Sequence, residues 1–495
     1  MNRGNTTLGG DAVRLTISKV VTMCITMAIS MLLSRFRTTE EYGTYSEILL
    51  VISLFTTLLM LGLPNSINYF LARAETQTEK RHFLSVYYTL STILSIILGL
   101  VLVLSVPLVE AYFHNPGIHA FAYFLGIYPW AHIISASIEN ILVVYKKTRF
   151  LMAYRIIHSL AMLGCVLVIQ WLGLGFSAYM KCFVAVNVLF ALSVYLICVL
   201  LSGGLNISLD PSLVRAVFAF SIPIGLSTVV GTLNTEIDKL LIGYLMSTEQ
   251  LAIYTNAAKE LPVTVVGSSI TAVLLPQLTR MLKHGREKSA VRLWSVATEL
   301  SFVFIALISA GVFTYAEEAM TFLYSAKYLP GVPVFRIYTL NLLLRCTYFG
   351  IILNACGHTR KIFYCSLISL VLNVVLNPIF YHLFGVPGPA MATFLAILII
   401  QLLQLHMSCR VTGVAFSEIF PWKSLGKIIL INIAFSLAFW WIKSLLPLEQ
   451  AVGNVAEAVL LGGLWSLAYL AIEKNRILRL WHCLNQKEER IEEGT

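Results

Sequence analysis

Apolar residues occupy this chain in long unbroken runs, separated by short polar stretches that carry most of the charge. A helix needs about 20 consecutive apolar residues to cross the hydrocarbon core of a bilayer. Fourteen runs reach that length: 13–34, 45–71, 83–106, 119–144, 150–172, 177–201 and 214–240, then 251–278, 293–315, 334–356, 362–384, 389–408, 425–442 and 452–472. Only helices and closed barrels satisfy their backbone polar groups in lipid, and these runs lack the alternation of a barrel strand. The pattern therefore predicts an all-α polytopic membrane protein of about fourteen transmembrane helices. The polar stretch Met1–Asp11 leads into the first run without a clear small-residue cleavage site, so that run reads as a retained helix, not a signal peptide.

Charge supports the count. With the N-terminus in the cytoplasm, the inside segments carry 24 Lys and Arg, including Arg3, Arg14, Arg81, Lys147, Arg286, Arg360, Lys427, Arg479, Lys487 and Arg490; the outside segments carry four, Arg35, Arg37, Lys327 and Lys443. A missed or invented helix would scramble so one-sided a distribution. Both termini are then expected on the cytoplasmic side of the cell membrane. The composition agrees: 58% of the 495 residues are hydrophobic and 12% charged, against roughly 45–50% and 25% in soluble domains. The formal charge of +10 follows from the positive-inside rule. No basic cluster interleaved with aromatics points to nucleic acid. The nine cysteines form no C-x-x-C pair and read as small buried hydrophobes, so no metal site is expected.

The chain also repeats itself. Thr39-Glu40 with Tyr45 recurs as Thr248-Glu249 with Tyr254, at an offset of 209. Glu79-Lys80 recurs as Glu287-Lys288, and Thr148-Arg149 as Thr359-Arg360, at offsets of 208 and 211. The unit is about six helices, and both copies start on one side, which makes a parallel repeat of the kind found in transporters. The expected organisation is a six-helix lobe over 1–205, a second over 206–412, two further helices with a tail over 413–495, and a central cavity between pseudo-symmetric lobes.

Ionisable groups in hydrocarbon are functional candidates by default. Polar residues at helical spacing form stripes: Lys19, Thr22, Thr26 and Ser30 on helix one; Ser227, Gly231, Asn234 and Asp238 on helix seven; Asn256, Glu260 and Thr264 on helix eight with Lys259 beside them; Tyr338, Asn341, Arg345 and Tyr348 on helix ten. A cavity binding an anion would use Lys19, Lys259, Arg345, Arg155 and Lys181, because a phosphate suits an ammonium or a bidentate guanidinium. Asp238 and Glu260 are the candidates for carrying a coupling ion, H+ or Na+. Each has a structural alternative: Lys181 and Lys239 sit close enough to the outer surface to snorkel, and Arg155 serves equally well in an ion pair. Pro64, Pro129, Pro223 and Pro262 mark possible kinks. No Walker motif appears, so nucleotide binding of the P-loop kind is not expected, nor is any cofactor.

The stretches Thr39-Glu40-Glu41-Tyr42-Gly43-Thr44-Tyr45, Leu61-Gly62-Leu63-Pro64-Asn65 through Phe70, Ile237-Asp238-Lys239 through Gly243, and Ser247-Thr248-Glu249 resemble Wzx-type polysaccharide flippases, in the superfamily of multidrug/toxin extruders and lipid II flippases. The resemblance covers at least 13–409. It implies a twelve-helix, two-lobe core working by alternating access on an undecaprenyl-pyrophosphate-linked oligosaccharide, carried from the cytoplasmic to the outer leaflet for O-antigen, capsule or exopolysaccharide synthesis. The implied partners are the lipid-linked oligosaccharide, membrane lipid, and a polysaccharide polymerase and glycosyltransferases. Fourteen helices exceeds the commonest count of the sugar branch and matches the lipid II branch. The rivals are a lipid II-type flippase and a multidrug extruder, which would favour an acidic cavity. A membrane glycosyltransferase or ligase would want a larger external loop than any here.

Overall fold

The computed structural model describes residues 8–445 and 453–485; Arg3, Lys487 and Arg490 of the charge argument lie outside them. The described residues form helices and connecting turns without a strand. Twelve helices are long and apolar enough to cross a membrane. In the first half these are α1 (Leu8–Phe36), α2 (Thr39–Met60), α3 (Gln77–Leu104), α4 (Pro116–Val144), α5 (Thr148–Trp171), α6 (Phe176–Ser202) and α7 (Pro211–Leu245). In the second they are α9 (Glu287–Thr314), α11 (Thr359–Phe384), α12 (Gly388–Thr412), α13 (Trp422–Leu445) and α14 (Asn454–Asn485).

The two remaining expected spans are interrupted. The eighth is split into α8a (Thr248–Ala257) and α8b (Thr264–Lys283), the tenth into α10a (Val332–Leu344) and α10b (Ile351–Ala355). Pro262 explains the first break: it has no N–H to donate, and it disfavours helical geometry at Leu261 before it. The other prolines behave differently. Pro129 and Pro223 sit inside continuous helices, and Pro64 opens a four-residue helix, Leu63–Ser66. In the tenth span the freed backbone groups find new partners. Gln401 Nε2 donates to the Leu344 carbonyl at 2.6 Å, and Ser301 Oγ to the Cys346 carbonyl at 2.6 Å. Trp294 Nε1 donates to Thr347 Oγ1 at 2.8 Å. Irregular backbone at membrane depth survives only when protein supplies the partners that water cannot.

The repeat has a physical basis at helix starts. Thr38 and Glu41 make a reciprocal capping box ahead of α2, with both bonds at 3.1 Å. Ser247 and Gln250 repeat it ahead of α8a, with bonds of 3.4 Å. Both halves then follow one order: a short helix (Val106–Phe113; Ala316–Tyr324), a 3-10 turn (Pro116–Phe121; Ala326–Gly331), and a span that bends or breaks near its middle.

The chain divides into two compact units at Ile253/Tyr254, later than the 205/206 boundary expected from sequence. The reason is close backbone packing of α7 within the first unit. A Cβ on Gly225 would lie 2.0 Å from the Leu61 carbonyl carbon, and one on Gly43 would lie 2.2 Å from the Thr248 carbonyl oxygen. Residues 203–210, which lead into α7, are laced to α3. Arg81 donates to Asn206 Oδ1 at 3.1 Å, Ser85 Oγ accepts the Asn206 N–H at 3.0 Å, and Thr89 Oγ1 accepts the Ser208 N–H at 3.2 Å. Asp210 caps α7 through the N–H groups of Ser212 (2.9 Å) and Leu213 (3.3 Å) and meets His82 at 3.2 Å.

The C-terminal pair, treated above as a separate 413–495 segment, belongs to the core of the second unit. Trp465 and Tyr469 are buried with Trp294, Phe302 and Phe420. Tyr469 Oη donates to the Val303 carbonyl at 3.2 Å. Arg476 of α14 lies between Glu473 (3.0 Å) and Glu299 of α9 (3.6 Å), and Ser424 of α13 donates to Glu299.

Two outcomes follow from this packing. Arg476→Ala strands two largely buried carboxylates, which costs about 3 kcal/mol or more; a lowered midpoint in thermal unfolding of the purified protein is expected, and an unchanged midpoint contradicts the clamp. The Ser212 hydroxyl, His82 and the Leu213 N–H hold the Asp210 carboxyl down at about 2. A carboxyl depressed in the folded state stabilises above its ordinary pKa of about 4 and loses that effect as pH falls toward the folded value. Pepsin cleavage within 203–210 is therefore expected to rise below about pH 4 in the wild type, whereas Asp210→Ala exposes the segment to a neutral protease already at pH 7.

Candidate functional site: cationic cavities lined from broken and bent helices

In the first unit α1 packs along α5, and with the bend of α4 at Ser137 they line an open cavity of about 330 Å³. Lys19 and Thr22 come from α1, Ser135, Ile138 and Glu139 from α4, and Tyr154, Arg155, His158 and Ser159 from α5. Helical spacing put Lys19 and Thr22 on one face, and packing turned that face toward Arg155. Arg155 is ion-paired with Glu139. The α5 wall is tied to α6: Tyr154 Oη donates to the Phe190 carbonyl at 3.1 Å, and His158 Nε2 meets Asn187 Oδ1 at 3.2 Å. The Thr22 hydroxyl bonds its own helix, to the carbonyls of Ser18 (2.9 Å) and Lys19 (3.0 Å).

In the second unit the two helix breaks meet. Lys259, Glu260, Tyr338, Asn341 and Arg345 line one narrow cleft, and Glu260 is ion-paired with Arg345. The approach is close because α8b carries Gly267 opposite the α10 break; a Cβ there would lie 2.6 Å from the Arg345 carbonyl oxygen. The cleft holds only about 10 Å³, room for roughly one water. Asn341 is 3% exposed, and its amide has no hydrogen-bond partner among the described residues. This is a closed polar seam, not a substrate-sized chamber. Tyr348, placed on the same stripe by spacing, instead sits inside the break against Gly350. The loss of helical periodicity between Leu344 and Ile351 takes it off the stripe.

Other expected residues lie elsewhere. Lys181 is exposed in the second turn of α6 and lines neither cavity; Thr26 is exposed on α1, one turn beyond the cavity. Asn234 Nδ2 donates to the Val230 carbonyl of its own helix at 3.0 Å. Asp238 is 1% exposed and accepts the Lys239 N–H at 2.8 Å. Lys239, a snorkelling candidate, pairs with Glu236 at 2.8 Å. Asn256 is buried in α8a.

Two features escaped the sequence reading. Asn373, Asn377 and Thr393 are buried between α11 and α12, with Thr393 Oγ1 donating to Asn373 Oδ1 at 3.3 Å. The i, i+4 spacing of the two asparagines was the available signal. A mainly apolar cavity of about 350 Å³ lies between α9 and α14, walled by Leu307, Phe322, Val455 and Val459, with Glu318, the partner of Lys443, on its lining. No spacing rule reaches it, because its walls come from helices about 150 residues apart.

A family model described as "Polysaccharide biosynthesis protein" matches residues 32–333. The probable low-salt glycan biosynthesis flippase Agl15 of Haloferax volcanii is 22% identical over 277 residues, covering 54% of this chain; the chain spans only 58% of that relative. Among solved structures, an inward closed conformation of the lipid II flippase MurJ superposes with a TM-score of 0.67 at 16% identity, over 94% of this chain and 99% of that one. An inward-facing multidrug resistance MATE family transporter of the MOP superfamily gives a TM-score of 0.63 at 15% identity, over 82% and 99%. These likenesses show a shared fold. With most of its length inside the family match and its helices arranged as in these solved structures, the chain belongs to the polysaccharide biosynthesis protein family and is a multi-pass membrane protein.

Proposed function

We propose that this protein flips an undecaprenyl-pyrophosphate-linked oligosaccharide from the cytoplasmic to the outer leaflet of the cell membrane, by alternating access, for the synthesis of a surface polysaccharide such as O-antigen, capsule or exopolysaccharide. The observation that carries the reading is the first-unit cavity, where Lys19 and Arg155 stand with the hydroxyls of Thr22, Ser135, Tyr154 and Ser159 and with His158, against the single carboxylate of Glu139. A diphosphate is a compact anion that an ammonium and a guanidinium hold strongly in low dielectric. The likeness to the flippase Agl15 and the lipid II flippase MurJ supports the transport class. Both ends of the chain are proposed to lie on the cytoplasmic side, with a polysaccharide polymerase and glycosyltransferases as neighbours in the pathway. The test is flipping of a lipid-linked oligosaccharide in proteoliposomes. Arg155→Met and Lys19→Met are each expected to lower the initial rate by about tenfold or more, on the order of 1.4 kcal/mol, with unchanged folding. Wild-type rates in both variants overturn the site.

Coupling is proposed to run through Asp238 and Glu260. Asp238 is enclosed in α7, and Glu260 sits at the α8 break beside Arg345. Flux in these vesicles is expected to rise with an imposed proton or sodium gradient and to lose that response in Asp238→Asn or Glu260→Gln. Flux indifferent to both gradients, and unaltered in the variants, overturns the assignment.

A further inference from the structure

We infer that Glu47 is a proton-binding site: its carboxyl is the neutral acid while three elements of the first unit seal it, and it gives up the proton when they part. The inference concerns a proton, not the cargo, and stands whether or not the first-unit cavity binds an anion. Glu47 lies about 12 Å along α2 from its start at Thr39 and is 0% exposed. α2 itself, the turn ahead of α4 and the start of α8a close over it. From the turn, Asn115 Nδ2 donates to Glu47 Oε2 at 2.6 Å and to Thr44 Oγ1 at 2.9 Å. From α8a, the Thr248 hydroxyl stands beside the carboxyl. Gly43 permits that approach, since a Cβ there would lie 2.2 Å from the Thr248 carbonyl oxygen. Glu47 Oε1 is closed off from solvent and has no hydrogen-bond partner.

No cation answers this carboxyl, for the two residues that act on it, Asn115 and Thr248, are neutral. The titratable groups of the surrounding elements are engaged elsewhere or exposed. On α2, Glu41 accepts the Thr38 N–H, Glu40 is exposed, and Tyr42 packs edge-on to Tyr45, which also meets Tyr179 of α6. Near the turn, Glu110 meets His119 at 3.4 Å and His114 lies against Tyr244. Ahead of Thr248, Lys239 pairs with Glu236 and Asp238 accepts the Lys239 N–H; after it, Glu249 is exposed. A carboxylate sealed from water without a cation is strongly disfavoured, and the neutral acid is not. The amide also chooses the ion. Asn115 Oδ1 accepts the Gly117 N–H at 2.9 Å, which turns the NH2 group toward Glu47. An NH2 group donates and cannot ligate Na+, whereas a proton on the carboxyl needs only an acceptor such as the Thr248 hydroxyl.

The internal repeat points the same way. At its offset of 209, Glu47 corresponds to Asn256, a neutral amide that is likewise 0% exposed. The position suits an uncharged polar group, and only in the first unit can that group ionise. As the seal closes, the carboxylate takes a proton from a hydronium ion of the facing solution and leaves water; as it opens, the proton returns to water. In the open form the carboxyl ionises above its ordinary value of about 4, so each closure binds one proton.

The test compares the purified full chain in lipid nanodiscs with Glu47→Gln. Infrared difference spectra at about pH 7 are expected to show a protonated-carboxyl C=O band in the wild type that the variant lacks; a difference confined to carboxylate bands overturns the proposal. Backbone hydrogen exchange at 115–117 and 247–249 reads the seal. The ratio of wild-type to variant exchange, in which the intrinsic pH dependence cancels, is expected to rise about tenfold or more between about pH 5 and about pH 7. It rises because only the wild type ionises on opening. A ratio constant over that range overturns the link between proton and seal. Glu47→Asn, which installs the side chain of Asn256, serves both measurements if the Gln variant does not fold.

Discussion

Every backbone N–H and C=O in the membrane must find a protein partner, and the arrangement of charged residues here depends on how that rule is met where helices stop being helical. The second unit breaks two of its spans at the same place. The gap at Pro262 and the gap after Leu344 bring Glu260 and Arg345 together, and the loose carbonyls of the tenth span are taken by Ser301 and Gln401. Neither break is tolerable alone in lipid. Packed against each other, with Gly267 allowing close approach, they form a polar seam inside an apolar bundle.

The first unit reaches a comparable chemistry by a milder route. Its fourth span only bends at Ser137, and the bend turns Glu139 toward Arg155 of the next helix. In each unit an arginine is neutralised by a carboxylate and accompanied by a lysine, yet the spaces differ greatly: about 330 Å³ in one, room for one water in the other. A ligand of headgroup size therefore fits the first cavity as it stands and not the second. The ion pairs also explain how such charges persist in a membrane protein, because an unpaired guanidinium in low dielectric is costly and a paired one much less so.

The C-terminal helices show a third use of buried charge. Arg476 with Glu299 and Glu473, and Lys443 with Glu318, join α14 and α13 to the segment around α9. Together with Trp465 and Tyr469 in the core, they make the pair part of the second unit. A hydropathy plot shows two more spans and is silent about what they touch.

Hydrophobic run length alone determined the all-helical membrane class and located the twelve unbroken spans, because a bilayer imposes a fixed thickness on every span. The repeat was legible at Thr39-Glu40 and Thr248-Glu249, and the structure shows why: both pairs open helices capped by the residue before them, Thr38 and Ser247. Helical spacing likewise placed Lys19 with Thr22 and Tyr338 with Asn341. Tertiary structure alone decided that Arg155 meets Glu139, that α7 packs with the first unit, and that Tyr348 leaves its stripe. Periodicity assumes an unbroken helix and specifies one face of it; it carries no information on which other helix that face will meet. The placing of α7 and of the segment after it in the first unit rests on close approaches such as Gly225 against Leu61 and Gly43 against Thr248, where a missing side chain lets two distant stretches of backbone touch.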